Sequence, residues 1–150
     1  MIFVTVGTGE FDKLVKEIDN MVALGNIKEK VIVQTGRGNF KPRNCEAFDF
    51  APSLDKYYEK ADLVIINGGK GKVFEILNKN KKLIAVPNRD RTDPMHQVEF
   101  IKAIEKESKA LLYCDNYKKI GEFIKKSKDY NFKDYKKADC KIDKVIIENV

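Results

Sequence analysis

Residues 63–97 read LVIINGGKGKVFEILNKNKKLIAVPNRDRTDPMHQ, and the order of features in this stretch decides the fold. Leu63 to Ile66 is an all-apolar run, as a strand needs when both faces of a parallel sheet are covered. Gly68, Gly69 and Gly71 follow at once, letting the backbone turn sharply and leaving its N–H groups uncovered by side chains. The pattern predicts a helix from Lys72 or Val73 to Asn80, with Glu75 in its first turn. Its unpaired N–H groups and positive dipole end face the glycine turn, which suits an anion; the same glycines also suit a tight turn with no ligand. Leu83 to Val86 reads as the next strand, Pro87 closes it, and His96-Gln97 opens a helix running to Ser108.

The same alternation extends both ways. Ile2 to Val6, Lys30 to Gln34, Cys45 to Phe50 and Leu111 to Tyr113 read as strands. Phe11 to Leu24 reads as a helix through Leu14, Val15, Ile18, Met21 and Val22, and Ser53 to Ala61 as a short one. Alternating strands and helices imply an α/β domain with a doubly wound parallel sheet, Rossmann-like, joined by right-handed crossovers. After Asp115 the pattern weakens. Tyr117 to Lys128 has helical spacing, residues 129 to 138 form a polar connector, and Lys141 to Asn149 suits a last helix or strand. The chain is expected to be one domain over residues 1–150.

Composition narrows the function. With 43% hydrophobic and 35% charged residues in 150, the chain is globular, and no apolar run approaches the ~20 residues of a membrane helix. A strand beginning beside Met1 predicts no signal peptide. Cys45, Cys114 and Cys140 lack metal-ligand spacing and His96 is the only histidine, which argues for a reducing compartment and against structural zinc. A net charge of +6 arises from 29 basic against 23 acidic residues. Such a surface is solvated or attracts an anionic membrane or acidic partner; interleaved aromatics or a nucleic-acid fold signature are missing.

Three turns fall at the carboxyl ends of strands, where open α/β sheets bind ligands. Gly7-Thr8-Gly9 begins a dinucleotide fingerprint, but its third glycine would fall at Asp12 and the second strand ends in Gln34-Thr35-Gly36 with no acidic residue for a ribose. By its position alone Thr8 suits a helix cap. A P-loop is also excluded, because Val73 stands five residues after Gly68.

Gly68-Gly69, Gly71, Glu75, a strand closed by Pro87, and then Gln97 resemble the signature of the nucleotide-binding half of the glycosyltransferases related to MurG. The opening MIFVTVGT resembles the family's single-domain members, the PssE-like subunits and the cytosolic subunit of the split UDP-GlcNAc transferase of dolichol-linked chitobiose synthesis. The match covers roughly residues 1 to 115. It implies the C-terminal half of a GT-B enzyme: the UDP-sugar-binding subunit of an inverting, metal-independent, two-component hexosyltransferase with no cofactor besides its donor. A hexose or N-acetylhexosamine would pass to a lipid-linked acceptor brought by a membrane-anchored partner. The chain would then work in the cytoplasm, at the inner face of the membrane, with residues 116–150 a candidate segment for docking the partner.

The resemblance also assigns the site. Gly7, Thr8 and Gly9 would meet the diphosphate, with Thr35 and Gly36 beside them in the QTG turn. Asn67, Gly68, Gly69 and Gly71 would form the central turn, Glu75 would accept from the ribose hydroxyls, and His96 and Gln97 would reach the sugar or diphosphate. Relatives commonly carry histidine before the glycine pair and Pro-Gly-Ser after it, where this chain has Asn67, Lys70 and Lys72. The two lysines would supply phosphate charge in place of a serine, a contact of ~1 to 3 kcal/mol when partly desolvated. The catalytic base is expected in the missing half, so none is assigned. Two rival readings are a non-catalytic nucleotide-binding or regulatory module of the same fold and a nucleic-acid-binding α/β protein.

Overall fold

The computed structural model describes residues 1–90 and 94–135, which form one six-stranded, wholly parallel sheet. Its strands are β1 (Ile2–Thr5), β2 (Val31–Gln34), β3 (Glu46–Phe48), β4 (Leu63–Ile66), β5 (Leu83–Ala85) and β6 (Leu112–Tyr113). The helices are α1 (Asp12–Ala23), α2 (Asp55–Lys60), α3 (Lys70–Asn78), α4 (Pro94–Ser108) and α5 (Ile120–Asp129), with a 3-10 turn at Tyr117–Lys119. The spatial order β3-β2-β1-β4-β5-β6 makes the sheet doubly wound, as its alternating sequence requires. The segment Lys141–Asn149 lies outside the described residues.

Side chains alternate between two apolar layers because successive strand residues point to opposite faces. Ile2, Val4, Val33, Ile65 and Ile84 pack with Leu14, Val15 and Ile18 of α1 and with Ile120 and Ile124 of α5. Phe3, Ile32, Val64, Ile66 and Leu83 pack with Tyr58 of α2, Val73, Ile76 and Leu77 of α3, and Phe100, Ile101 and Ile104 of α4. β1, β2, β4 and β5 are buried throughout, which explains their continuous apolar runs.

Two registers place the site. Thr5 of β1 pairs with Gln34 of β2 on one side and with Ile66 of β4 on the other, so these three strands end level. The winding reverses between β1 and β4, and the turns that leave them diverge to opposite faces. That divergence opens a crevice at the topological switch point.

Several boundaries differ from the sequence expectation: β3 is shorter than Cys45 to Phe50, α4 begins at Pro94 ahead of His96-Gln97, and the expected helix from Tyr117 opens as a 3-10 turn; the one that bears on the site is the start of α3. α3 starts at Lys70 with Gly69 as its N-cap, not at Lys72 or Val73. Gly71 and Lys72 therefore lie inside its first turn, and Glu75 sits one turn further along the helix, beyond the reach of the dipole argument. Gly69 adopts extended backbone at φ −71° and Val73 N–H donates to its carbonyl at 3.0 Å. Glycine costs less in a first turn than in a helix interior, which let the helix begin earlier than its apolar pattern shows.

Candidate functional site

The crevice holds a groove in two sections. The larger, about 580 Å³, is lined by Val6, Gly7, Thr8, Gly9, Glu10, Asn67, Gly69, Lys72, Asn88 and Asp90. The second, about 370 Å³, is lined by Gly7, Thr8, Gln34, Phe50, Ala51, Pro52, Ser53, Leu54, Asp55, Lys72 and Glu75. Gly7, Thr8 and Lys72 belong to both, so the two sections adjoin along these residues and together form a trough across the ends of β4, β1 and β2. Either volume falls in the range of small-molecule sites.

The turn after β1 is fixed by hydrogen bonds arriving from elsewhere in the chain. Thr5 Oγ1 donates to Gln34 Oε1 inside the core, and Gly7 N–H donates back to Thr5 Oγ1 at 3.1 Å. Asn67 Nδ2 donates to Val6 O at 3.1 Å, Arg37 N–H to Gly9 O at 2.9 Å, and Asn88 Nδ2 to Glu10 O at 3.1 Å. Thr8 does not cap α1, whose N-cap is Phe11, with no side-chain cap bond. Thr8 is instead exposed in the wall of both sections.

Thr35 and Gly36 stand behind this wall. Thr35 is buried and its hydroxyl donates to Phe48 O at 3.3 Å. Gly36 has φ +59°, and a Cβ there would lie 2.3 Å from Gly9 O and 2.8 Å from Gly7 O. Its glycine is therefore demanded by the fold, and these two residues support the groove without lining it.

The turn after β4 is built differently. Gly68 has φ +95° and a Cβ on it would press to 2.6 Å from Ile101 Cδ1, whereas Cβ atoms on Gly69 and Gly71 would meet nothing within 4 Å. Gly69 lines the larger section beside the N-terminal end of α3. The two lysines part company. Lys70 Nζ lies 5.3 Å over the Phe100 ring and Lys70 does not line the trough, while Lys72 lines both sections, its Nζ 3.6 Å from Glu75 Oε2 and 3.4 Å from the Tyr58 hydroxyl. His96 is exposed and Gln97 half-buried in the first turn of α4, and neither lines the trough; Gln97 Oε1 lies 3.5 Å from where a Gly68 Cβ would be.

The trough thus gathers Gly7, Thr8, Gly9, Asn67, Gly69, Lys72 and Glu75 and leaves Thr35, Gly36, Gly68, Lys70, Gly71, His96 and Gln97 outside its lining. It adds residues that sequence reading passed over. Asn88 is buried, its Oδ1 accepting from Asp90 N–H at 3.0 Å, and Asp90 pairs with Lys13 at 2.9 Å. Phe50, 49% exposed, offers an apolar face at the far end of the second section. Close by in sequence, Phe48 stacks with Phe3 and Tyr57, the Phe48 and Tyr57 ring centroids 4.6 Å apart. The available signal was the turn sequence Pro87-Asn88-Arg89-Asp90 and an aromatic ahead of Pro52.

Chemically, the trough joins the N-terminal end of α3, one ammonium, the hydroxyls of Thr8 and Ser53 and bare backbone to an aromatic face and to four carboxylates, Glu10, Asp55, Glu75 and Asp90, of which Asp55 and Asp90 are paired with Lys79 and Lys13. That sequence of groups suits a phosphorylated ligand carrying a diol and a flat ring. A further cavity of about 380 Å³ adjoins it across Asn88 and Asp90, lined also by Arg89, Asp115 and Tyr117. Arg89 is engaged there, donating to Asp115 O at 3.1 Å and the Tyr113 hydroxyl at 3.0 Å.

Comparison with known proteins agrees with the fold. The family model "Glycosyltransferase family 28 C-terminal domain" matches residues 1–150. The human UDP-N-acetylglucosamine transferase subunit ALG13 is 35% identical over 124 residues, 75% of this chain; the chain spans only 11% of that protein's length. Among solved structures, an NMR structure of ALG13 superposes with a TM-score of 0.60 at 20% identity, covering 89% of this chain and 88% of that one. MurG of Acinetobacter baumannii gives 0.63 at 19% identity, covering 83% of this chain and 40% of MurG. At those identities the structural likeness speaks to the fold, which is that of GT-B glycosyltransferase C-terminal domains.

Proposed function

The chain belongs to the glycosyltransferase family 28 C-terminal domain family, and from that premise we propose that it binds the UDP-sugar donor of a two-component glycosyltransferase. In this reading residues 1–150 are one nucleotide-sugar-binding domain. A hexose or N-acetylhexosamine passes to a lipid-linked acceptor held by a membrane-anchored partner, and residues 116–150 help dock that partner. Support for a partner comes from the human relative, whose name describes a subunit. None of the described helices is long and apolar enough to cross a membrane, so this region does not reach a lipid-linked acceptor by a helical span of its own.

The observation that carries the proposal is the pair of adjoining groove sections at the switch point, with Lys72 shared between them, Gly69 and the α3 N-terminus on one side and Glu75 on the other. The diphosphate lies between the Gly7–Gly9 wall and Gly69, neutralised by Lys72 and the helix end. Glu75 accepts from the two ribose hydroxyls, and the base extends toward Phe50 and Pro52. The sugar then points toward Asn88 and Asp90, at the open side where a second domain would close. Closure aligns acceptor with donor and excludes water, so transfer requires the partner.

Asn67 favours a second reading. Its side-chain amide is tied to Val6 O, in the position where relatives commonly place a histidine, and a module that binds nucleotide without transferring sugar would also be built this way. Calorimetric titration tests the binding common to both. UDP is expected to bind with a Kd between micromolar and millimolar, ~4 to 8 kcal/mol, and Glu75→Ala to weaken it about tenfold or more. Unchanged UDP affinity in that variant would remove Glu75 from the ribose. Sugar transfer reconstituted with the membrane partner, and absent without it, separates the enzyme from the module.

A further inference from the structure

We propose that Lys72 is a phosphate-operated switch that masks Glu75 in the free protein and releases it when a nucleoside diphosphate enters the trough. The inference rests on the donor-binding reading and states how the site tells a nucleoside diphosphate from a nucleoside. Lys72 is the charged residue shared by both sections of the trough, and its side chain is 29% exposed. Its Nζ lies 3.6 Å from Glu75 Oε2, so the carboxylate meant for the ribose is already engaged.

Tyr58 holds the ammonium where both partners are in reach. The ring is fully buried, packed edge-on against Phe3 at 5.5 Å, and its hydroxyl accepts from Lys72 Nζ at 3.4 Å. Burial, followed by the charges of Glu75 and Asp55, pushes this phenol up from its ordinary value. The hydroxyl therefore stays protonated and offers only a neutral lone pair, a pivot and not a competing anion. Asp55 is already engaged by Lys79 at 3.5 Å, leaving Glu75 as the carboxylate that Lys72 pairs with.

Against this, a diphosphate brings more charge to a better place. It would sit at the α3 end, where the first N–H groups have no intrahelical partner and the dipole adds to the ammonium. A half-exposed carboxylate three residues along the same helix is the weaker attraction. As Lys72 turns to phosphate, Glu75 regains its acceptor sites for the ribose hydroxyls. Uridine, lacking phosphate, must compete with Lys72 for the same carboxylate. Phosphate and ribose binding are thereby coupled through one side chain, and the coupling is reciprocal.

Titration calorimetry of the full chain with uridine and UDP tests this. Lys72→Met keeps the aliphatic stem and removes the charge; Lys72→Arg retains it, and Lys72→Gln serves if the methionine variant does not fold. In Lys72→Met, UDP should bind about tenfold or more weakly while uridine binds about twofold to fivefold more tightly, because Glu75 is unmasked. Lys72→Arg should keep both affinities close to wild type. Uridine binding that is unchanged or weakened in Lys72→Met would overturn the switch, even with UDP binding reduced. Wild-type protein that binds neither ligand would instead overturn the donor-binding reading on which the switch stands.

Discussion

Two strand-to-helix turns meet at the centre of the carboxyl edge, and the protein treats them in opposite ways. The turn after β1 receives hydrogen bonds on three successive stretches of its backbone: Asn67 reaches Val6, Arg37 reaches Gly9 and Asn88 reaches Glu10. The turn after β4 is held from beneath, where Ile101 fills the space under Gly68, and above that Gly69 and Gly71 face open space. The first turn is a wall that the fold itself specifies. The second has small residues whose smallness the fold does not require, and Gly69, which lines the trough, is where the proposed ligand would account for it. A glycine is interpreted by what would occupy its missing Cβ.

Gly36→Val gives the strongest test of the contrast. A side chain there would drive into the carbonyls of Gly9 and Gly7 from a left-handed backbone, so the variant should lose about 3 kcal/mol or more, about 6 to 12 °C in Tm. Thermal unfolding followed by circular dichroism measures it, and a Tm within about 2 °C of wild type would show that the wall yields cheaply. Asn88→Ala removes two hydrogen bonds, one that ties the β1 and β5 turns together and one inside the β5 turn, and should cost about 1 to 2 kcal/mol in urea unfolding. No loss would mean that the other two braces suffice. Gly69→Ala should have the smallest effect on stability, between no change and about 1 kcal/mol of gain, since its φ of −71° suits alanine and the new methyl meets no protein atom. The same variant should weaken UDP binding about threefold or more, because that methyl stands in the trough. Wild-type UDP affinity with raised stability would show that the second turn is not a ligand surface.

Much of this architecture was legible because it depends on local periodicity. The apolar runs at Ile2 and Leu63, the helical stripe from Leu14 to Met21 and the glycines after Asn67 each carry their meaning within a few residues. What was hidden depends on residues distant in sequence. Nothing near Asn88 announces that its amide will reach Glu10 O, and nothing near Gln34 announces its bond with Thr5. Lys70 and Lys72 look alike in sequence, yet a helix starting at Lys70 sends one over Phe100 and the other into the trough. Asp19 is a third case. It is buried within α1 and accepts from Asn44 N–H at 2.8 Å and Arg43 N–H at 3.3 Å, pinning the long loop before β3. Its charge also contributes, after burial, to pushing the Cys45 thiol up to about 12, so this cysteine is held as an unreactive thiol.

The central position of β1 has a consequence in time. A ribosome releases the chain from its amino end, and β1 can pair with β2 as soon as residue 34 is free. Its other side waits for β4, which completes only at Ile66. Over that interval an apolar strand, destined for burial on both faces, shows an unpaired edge to water or to a neighbouring nascent chain. The growing chain meanwhile carries α1, whose Leu14, Val15 and Ile18 can cover one face of β1, and the Thr5–Gln34 bond can already set its register. The trough cannot exist at that stage, because Gly69, Lys72, Glu75 and Asn88 have yet to be made or placed. A ligand of the trough, the proposed nucleotide included, therefore cannot guide the earliest pairing of this sheet; it could only stabilise a chain that has already closed its centre.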